Sequence, residues 1–182
     1  MTTDDVRRAL VRISHEIVEK HGGTEGLALV GIHRRGVPIA ERLAASIKEH
    51  EGVQPPVGNL DITFYRDDLS QVAKSPLLKA SDLPFALEAS TIVIVDDVLY
   101  TGRTIRAALD VLVDMGRPKA VRLAVLVDRG HRELPIRADH VGKNVPTSRD
   151  ERIRVHVVES DGADEVMIER SNGNAAVVEA VE

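Results

Sequence analysis

The feature that most constrains the fold is a twelve-residue run from Val93 to Thr104, in which an apolar stretch leads through two acids into a glycine turn. Residues 91–95 form the clearest strand pattern in the chain, and Asp96 and Asp97 follow directly. The turn Thr101-Gly102-Arg103-Thr104 then opens a segment with helical spacing of apolar residues. Ligands of open α/β sheets bind outside the carboxyl ends of the strands, so this run predicts both an α/β sheet and a ligand site at its edge.

The residue types of this run suit a sugar phosphate. Backbone amides of residues 101–104 at a helix N-terminus favour a phosphate, and Gly102 lets the backbone approach it closely. Asp96 and Asp97 would repel a phosphate but suit ribose hydroxyls, directly or through a hard metal ion. The alternative is that the acids only cap and end a strand, which explains either acid alone but not both followed by Thr-Gly-Arg-Thr. A P-loop or a dinucleotide-binding loop does not fit, because each needs glycines that are absent here.

The rest of the chain alternates helix and strand patterns around this run. Thr2 and Asp5 have capping-box spacing before an amphipathic helix that should end at Gly22. Strand patterns occupy residues 27–32, 60–65, 121–127 and 153–158, and helical patterns occupy 37–47 and 105–112. This order predicts one domain over residues 1–182 with a mostly parallel central sheet and helices on both faces. We expect residues 66–90 to be a functional loop and the tail after about residue 171 to be frayed.

Composition removes several classes of function. The chain has 182 residues and no cysteine, which excludes disulfides and thiolate metal sites. Without tryptophan and with only two Phe and two Tyr, it lacks the rings of a stacking platform for single-stranded nucleic acid. The net charge is -5, so nucleic-acid contacts would need a local basic patch. No apolar run approaches the roughly 18 residues of a membrane span and the N-terminus has no signal-peptide pattern, so we expect a soluble cytoplasmic protein.

The two acids, three spacers and Thr-Gly-Arg-Thr resemble the phosphoribosyl diphosphate (PRPP) signature of type I phosphoribosyltransferases. Three further stretches, at residues 60–69, 127–139 and 142–148, resemble the PyrR family, whose members attenuate the pyrimidine operon and double as uracil phosphoribosyltransferases. The resemblance spans residues 6–158. It implies a type I phosphoribosyltransferase fold with a small hood over the base, built from segments near Ile62 and Val155.

The resemblance also implies which residues form the active site. Asp96, Asp97, Arg34 and Arg35 would be the catalytic residues. PRPP and UMP would be bound by Arg34, Arg35, Arg66, Asp96, Asp97, Val98, Leu99, Tyr100, Thr101, Gly102, Arg103 and Thr104. Mg²⁺ would be held mainly by PRPP, with Asp96 and Asp97 as further candidate ligands. On its charge alone, the loop of residues 31–36 is better explained as a basic loop facing water.

The implied reaction joins uracil N1 to ribose C1 of PRPP, which gives UMP and diphosphate. The leaving diphosphate gathers negative charge, and arginine forks together with backbone amides stabilise it. The stretch of residues 65–68 resembles the flexible loop that closes over PRPP and would exclude water. We identify no strong general base, because Tyr100 stands where purine phosphoribosyltransferases have an Asp. This departure counts against a purine substrate.

RNA binding is the second implied activity. Residues 129–154 contain seven Arg and Lys residues and four Asp and Glu residues, which gives a local net charge of +3 (7 − 4). The residues from 155 onward contain one Arg and seven acidic residues. Charge alone fits a mixed solvated surface equally well. The resemblance assigns RNA contacts to His15, Lys20, Arg132, Arg137, Lys143 and Thr147. Two departures bear on affinity: Val11 replaces an expected Thr, and Lys20 replaces an expected Arg with its planar fork.

The implied partners are uracil, PRPP, UMP and UTP, together with the leader RNA of pyrimidine-operon transcripts. A homo-oligomer, either a dimer or a larger assembly, is expected from the family, and no membrane partner is expected. Three alternatives stay open on the sequence. The chain could be a nucleotide-sensing RNA-binding regulator without significant enzyme activity, a purely metabolic phosphoribosyltransferase, or a phosphoribosyltransferase for another base.

Overall fold

The computed structural model describes residues 1–62, 81–172 and 175–181. The elements in these residues are α1 (Thr3–His21), β1 (Leu27–Ile32), α2 (Gly36–Glu51), β2 (Val57–Leu60), β3 (Thr91–Leu99), α3 (Arg103–Met115), β4 (Ala120–Asp128), β5 (His140–Asn144), β6 (Glu151–His156), the single turn α4 (Val158–Asp161), β7 (Glu165–Asn172) and β8 (Ala175–Ala180). The strand predicted at residues 60–65 is only partly within the described residues: β2 ends at Leu60, and residues 63–65 lie outside them. None of the described helices is both long and apolar enough to span a bilayer.

The first five strands form one sheet in the order β2-β1-β3-β4-β5, and each adjacent pair is parallel. Its side chains alternate between two cores, as a pleated strand requires. Val93 and Val95 of β3 belong to a core shared with α1 and α2, whereas Ile92 and Ile94 belong to a core shared with α3. The predicted α/β fold with helices on both faces of a mostly parallel sheet is confirmed.

The predicted capping box begins α1. Asp5 N–H donates to Thr2 Oγ1 at 3.3 Å, and Thr2 N–H donates back to Asp5 Oδ2 at 2.8 Å. The helix ends as predicted at Gly22, whose φ of 84° is a left-handed conformation that favours glycine. Between these ends, Val6, Ile13 and other apolar residues of one face are buried against the sheet.

Both edges of the five-stranded sheet are partly covered. Arg12 of α1 donates from Nη2 to the backbone oxygens of Val141 and Gly142 on β5, at 3.0 and 2.6 Å. At the opposite edge, Asn59 of β2 and Asp82 exchange two backbone hydrogen bonds of 2.8 and 3.1 Å. Backbone groups of both edge strands therefore have partners from outside the sheet at these positions.

The last three strands form a separate antiparallel sheet in the order β6-β7-β8, which we call the hood. Val155 lies in it as expected and is buried in the core shared with α1 and α2. Ile62 itself is buried in the core on the α3 face, and residues 63–80 that follow it lie outside the described residues. Beyond residue 171, where we expected a frayed tail, the described residues Ala175–Ala180 pair with β7 as β8. The tail is thus part of the sheet that lies over the site.

Candidate active site

The two acids of the sequence motif lie within β3 rather than beyond its end, because the strand continues to Leu99. Asp96 is 7 % exposed and accepts the Asp97 N–H at 3.0 Å, while Asp97 accepts the Val98 N–H at 2.8 Å. Burial raises the pKa of both carboxyls, and the charge of Asp97 raises the pKa of Asp96 further. A cation or hydroxyl donors at this point would stabilise the ionised pair.

The turn after β3 presents the start of α3. Gly102 has a φ of 93° and precedes the first helical residue, Arg103. Arg103 N–H makes a long hydrogen bond of 3.4 Å to Thr101 Oγ1, and Arg106 N–H donates to Gly102 O at 3.0 Å. The first-turn amides of a helix of this length, together with the helix dipole, suit an anion. The phosphate-binding interpretation of residues 101–104 therefore fits this geometry.

One predicted ligand-binding residue is placed in the protein core instead. Leu99 is 1 % exposed and belongs to the core on the α3 face, so its side chain is closed to a ligand. Its carbonyl accepts the Arg129 N–H at 3.1 Å. Val98 packs partly against the opposite core. Arg66 and the rest of the predicted lid at residues 65–68 lie outside the described residues.

A close backbone contact brings the basic loop of residues 31–36 to the acids. A Cβ at Gly36 would lie 2.4 Å from Val95 O, which leaves no room for a side chain between the start of α2 and β3. Arg35 directly precedes this glycine and lines the same pocket as Asp97. Arg34 is exposed and is not among the residues that line this pocket. The structure thus brings Arg35, rather than both arginines, to the carboxylate.

The pocket has a volume of about 250 Å³ and lies between this edge of the sheet and the hood. Its remaining lining comes from the hood: Arg152, Ile153, Arg154, Val155, His156 and Glu169. Arg154 pairs with Glu169 through Nε and Nη2 at 2.8 and 3.1 Å. Sequence reasoning counted Arg152 and Arg154 only as part of a basic face. Their alternation with Ile153 and Val155 was the available signal that they line one side of a strand.

The loop between β4 and β5 is built around two arginines. Arg129 is 6 % exposed, donates to Ser148 O at 3.1 Å and Glu151 O at 2.7 Å, and lies 4.1 Å from the ring centroid of Tyr100. Arg132 donates to Ile136 O at 2.9 Å and Tyr100 O at 2.8 Å, and it also pairs with Asp128. Arg132 was predicted to contact RNA, yet these bonds engage its guanidinium within the protein.

The other residues assigned to RNA contacts are spread over α1, the loop before β5, and β5 with its following loop. His15 stacks on His50 of α2 with ring centroids 4.0 Å apart, and Lys20 pairs with Asp139 at 2.7 Å. Arg137 is exposed, Lys143 lies on β5, and Thr147 Oγ1 accepts a hydrogen bond from Arg129 Nε at 3.1 Å. Because α1 packs beside β5, Lys20 comes close to the β5 side of the molecule, whereas Thr147 lies nearer to Tyr100.

The two carboxylates fit a magnesium ion that is shared with a phosphorylated substrate. Within the described residues, no group of three or more His, Cys, Asp or Glu side chains is placed to hold a metal ion alone. Mg²⁺ is commonly bound through one or two carboxylates together with substrate phosphates and water. Asp96 and Asp97 supply hard oxygen ligands of that kind, and a cation would offset the cost of their burial.

Known proteins resemble the chain in sequence and in fold. The phosphoribosyl transferase domain model matches residues 3–154. Proteins named bifunctional protein PyrR are 61% identical in Deinococcus deserti, covering 91% of both chains, and 61% identical in Thermus thermophilus, covering 95% of this chain and 96% of the relative. A third, from Chloroflexus aurantiacus, is 59% identical over 96% of both chains.

Solved structures of hypoxanthine phosphoribosyltransferases share the fold at low identity. The Staphylococcus aureus enzyme has a TM-score of 0.64 at 21% identity, covering 81% of this chain and 77% of that one. The Trypanosoma cruzi enzyme in a ternary substrates complex has a TM-score of 0.65 at 21% identity, covering 80% and 79%. The expected type I phosphoribosyltransferase fold is confirmed, and the chain belongs to the phosphoribosyltransferase domain family and, within it, to the PyrR family.

Proposed function

We propose that this chain transfers phosphoribosyl from PRPP to uracil, and that it also binds the leader RNA of pyrimidine-operon transcripts under the control of uridine nucleotides. The observation that carries the enzymatic part is the pocket in which Arg35 and Asp97 meet beneath the hood. Membership of the PyrR family supports both parts. An enzyme that uses PRPP and a regulator of nascent transcripts would work in the cytoplasm, and we propose a homo-oligomer, as the family resemblance implies.

The proposed site divides PRPP among three groups of residues. The 5-phosphate lies at the start of α3, where backbone amides and the hydroxyls of Thr101 and Thr104 donate to it. Asp96 and Asp97 accept hydrogen bonds from the ribose hydroxyls. The diphosphate lies next to Arg35, and Arg34 is the exposed neighbour of Arg35 in the same loop. Each phosphate therefore meets hydrogen-bond donors, namely helix amides for the 5-phosphate and arginines for the diphosphate. The two acids meet the neutral sugar.

The proposed reaction is substitution at ribose C1. The bond from uracil N1 to C1 forms, the bond from C1 to the diphosphate oxygen breaks, and the N1 proton is released. Positive charge develops on the sugar ring as in other glycosyl transfers, so the ionised Asp97 stabilises it while Arg35 stabilises the departing oxygens. Bound Mg²⁺ would supply Lewis-acid chemistry at the diphosphate. The hood excludes water from C1 and thereby limits hydrolysis.

UMP formation from uracil and PRPP with Mg²⁺ tests the enzymatic part. We expect activity in the wild type and a loss of at least about a hundredfold in Asp97→Asn, since an electrostatic partner of the transition state is removed. Asp110→Asn is the matched control, because Asp110 lies on the exposed side of α3 and pairs with Arg106 at 3.7 Å. A folded wild type without activity would leave only a nucleotide-sensing RNA regulator, and activity with purines instead would indicate another base.

Gel shifts with the leader hairpin at several salt concentrations test the RNA part. Contacts to phosphates weaken as salt rises, so log affinity falls with log salt concentration. Each contact that is removed reduces the magnitude of this negative slope by about 0.7 to 0.9. We expect that change for Arg137→Gln, and none for Arg117→Gln, an exposed arginine in the connection between α3 and β4. A wild type that does not bind the hairpin would favour the purely metabolic enzyme, and binding that does not weaken as salt rises would contradict contacts to phosphates.

A further inference from the structure

The connection between β6 and β7, residues 157–164 with the turn α4, holds one of the two arginines of the basic loop, and we count this connection as part of the hood. Arg35 donates from Nε to Asp161 Oδ2 at 2.9 Å and from Nη2 to Asp161 Oδ1 at 2.8 Å, which is a bidentate pair. The side chains of Arg35 and Asp161 are 35% and 18% exposed, so the pair is only partly screened by water. None of the sequence motifs included Asp161, which lies in the single turn α4.

Asp161 is itself fixed by the backbone. Its Oδ2 accepts the Val157 N–H at 3.0 Å, and its own N–H donates to Val157 O at 2.7 Å. The hydrogen bond from Arg35 lowers the pKa of Asp161 to about 2, so the carboxylate is ionised at neutral pH. Arg35 therefore meets a charged acceptor with little freedom to move.

The pairing leaves the other end of the guanidinium for a ligand. An arginine has five N–H donors, and Asp161 takes the Nε donor and one Nη2 donor. The two Nη1 donors and the second Nη2 donor remain on the end of the group, and Arg35 lines the pocket that contains Asp97. The other charged groups of that pocket are Arg152, Arg154 and Glu169. An end-on pair of donors beside two further arginines suits a diphosphate.

A second ion-pair group joins α2 to the same part of the hood without reaching the pocket. Arg42 of α2 donates to Glu159 Oε1 at 2.7 Å and to Asp164 Oδ2 at 2.9 Å. Asp164 also accepts the Val158 N–H at 2.9 Å, just as Asp161 accepts that of Val157. The hood is thus attached to α2 through Arg42 independently of Arg35. Attachment of the hood does not by itself explain the Asp161 pair.

We propose that Asp161 is a positioning residue, which aims the end of the Arg35 guanidinium at the diphosphate of PRPP. This inference rests on the proposed transferase function. The alternative interpretation of the same contact is that Asp161 competes with diphosphate for Arg35. The two roles predict opposite signs. Removing a positioning group weakens binding of diphosphate, whereas removing a competing negative charge strengthens it.

Asp161→Asn tests the proposal with Asp164→Asn as its matched control. Both replacements remove one negative charge within α4 or its flank, and both keep an oxygen that can accept the turn N–H. Of these two acids, Asp161 is bonded to Arg35 and Asp164 is bonded to Arg42. We expect Asp161→Asn to raise the KM for PRPP and the Kd for diphosphate about tenfold, because a misplaced group near the reacting atoms typically costs up to about a hundredfold. We expect the KM for uracil to stay unchanged, and Asp164→Asn to resemble the wild type.

Arg35→Lys supplies a readout that a purely structural role of Asp161 would not change. Lysine cannot form the bidentate pair, so Asp161→Asn should add little to the loss already caused by Arg35→Lys in the double variant. Diphosphate binding is measured by calorimetry on the full chain with Mg²⁺, next to steady-state kinetics. Tighter diphosphate binding in Asp161→Asn, additive losses, or equal losses in Asp164→Asn would overturn the proposal. A wild type that fails to bind diphosphate would instead overturn the transferase function itself.

Discussion

At Gly36 we expect a single added methyl group to lower catalytic activity by more than the accompanying loss of stability can explain. It starts α2 directly after Arg35, and a Cβ there would lie 2.4 Å from Val95 O and 3.4 Å from the Asp96 Cα. Val95 immediately precedes the two acids on β3. Gly36→Ala therefore pushes the basic loop and the carboxylates apart.

The size of the effect follows from the contact. Moving a carbon from 2.4 Å to the about 3.3 Å at which it normally meets a carbonyl oxygen requires a shift of about 0.9 Å. Overpacking of this kind costs about 1–3 kcal/mol, partly offset by the about 1 kcal/mol that alanine gains over glycine in a helix. A displacement near 1 Å between Arg35 and Asp97 should lower kcat/KM for PRPP about a hundredfold.

Gly142→Ala is the control for this experiment. A Cβ at Gly142 would lie 2.4 Å from Leu126 O, so it creates the same clash between β5 and β4, away from the pocket. We expect both variants to lose stability in urea unfolding, and only Gly36→Ala to lose UMP formation at a temperature where both are folded. Unchanged kcat/KM in Gly36→Ala, or an equal loss in Gly142→Ala, would refute the reasoning.

Two further predictions concern buried polar groups. His140 is 2 % exposed, its Nε2 has no partner among the described residues, and burial, reinforced by Lys20, lowers its pKa below 6.5. The unfolded chain therefore binds the proton more readily, so His140 destabilises the fold increasingly as pH falls below 6.5. We expect His140→Phe to raise the unfolding free energy by about 1–3 kcal/mol at pH 8 and by more at pH 6. The control His33→Phe, at an exposed position, should give no such gain. A smaller gain for His140→Phe at pH 6 than at pH 8 would contradict this. Arg129→Lys should lower the unfolding free energy by about 1–3 kcal/mol, because lysine cannot reach Ser148 O and Glu151 O together; exposed Arg149→Lys should change it by less than about 0.5 kcal/mol, and equal effects would be evidence against the role of Arg129.

The main sheet was predictable where burial leaves an unbroken apolar pattern. β1, β3 and β4 are buried on both faces and their predicted bounds agree to within a few residues, although β3 carries its acids inside the strand. β5 was missed because His140–Asn144 contains Gly, Lys and Asn and lies at an edge. Its pairing with β4 comes from tertiary contact rather than from local preference.

The sequence predicts the part of the site formed by residues 96–104 but not the part formed by the hood. Asp96, Asp97 and the turn after them carry residue types that follow from phosphate and ribose chemistry. The hood strands carry no such signal, because their residues reach the pocket only through antiparallel pairing with distant segments. The alternation around Arg152 indicates a strand but not which site that strand faces, and no sequence pattern links Asp161 to Arg35. For Arg132, the resemblance implied an RNA contact, and the structure shows its guanidinium bonded to Ile136 O and Tyr100 O, which local sequence does not indicate.

The covered edges of the five-stranded sheet bear on how copies of the chain can meet. Exposed edge strands are templates on which another chain can add a strand, and this leads to open-ended aggregation. Arg12 binds two backbone carbonyls of β5, and Asp82 pairs with the backbone of Asn59 on β2, so strand addition is obstructed at these points of both edges. Another copy that approaches either edge of this sheet would therefore have to bind through side chains at these points rather than by adding a strand.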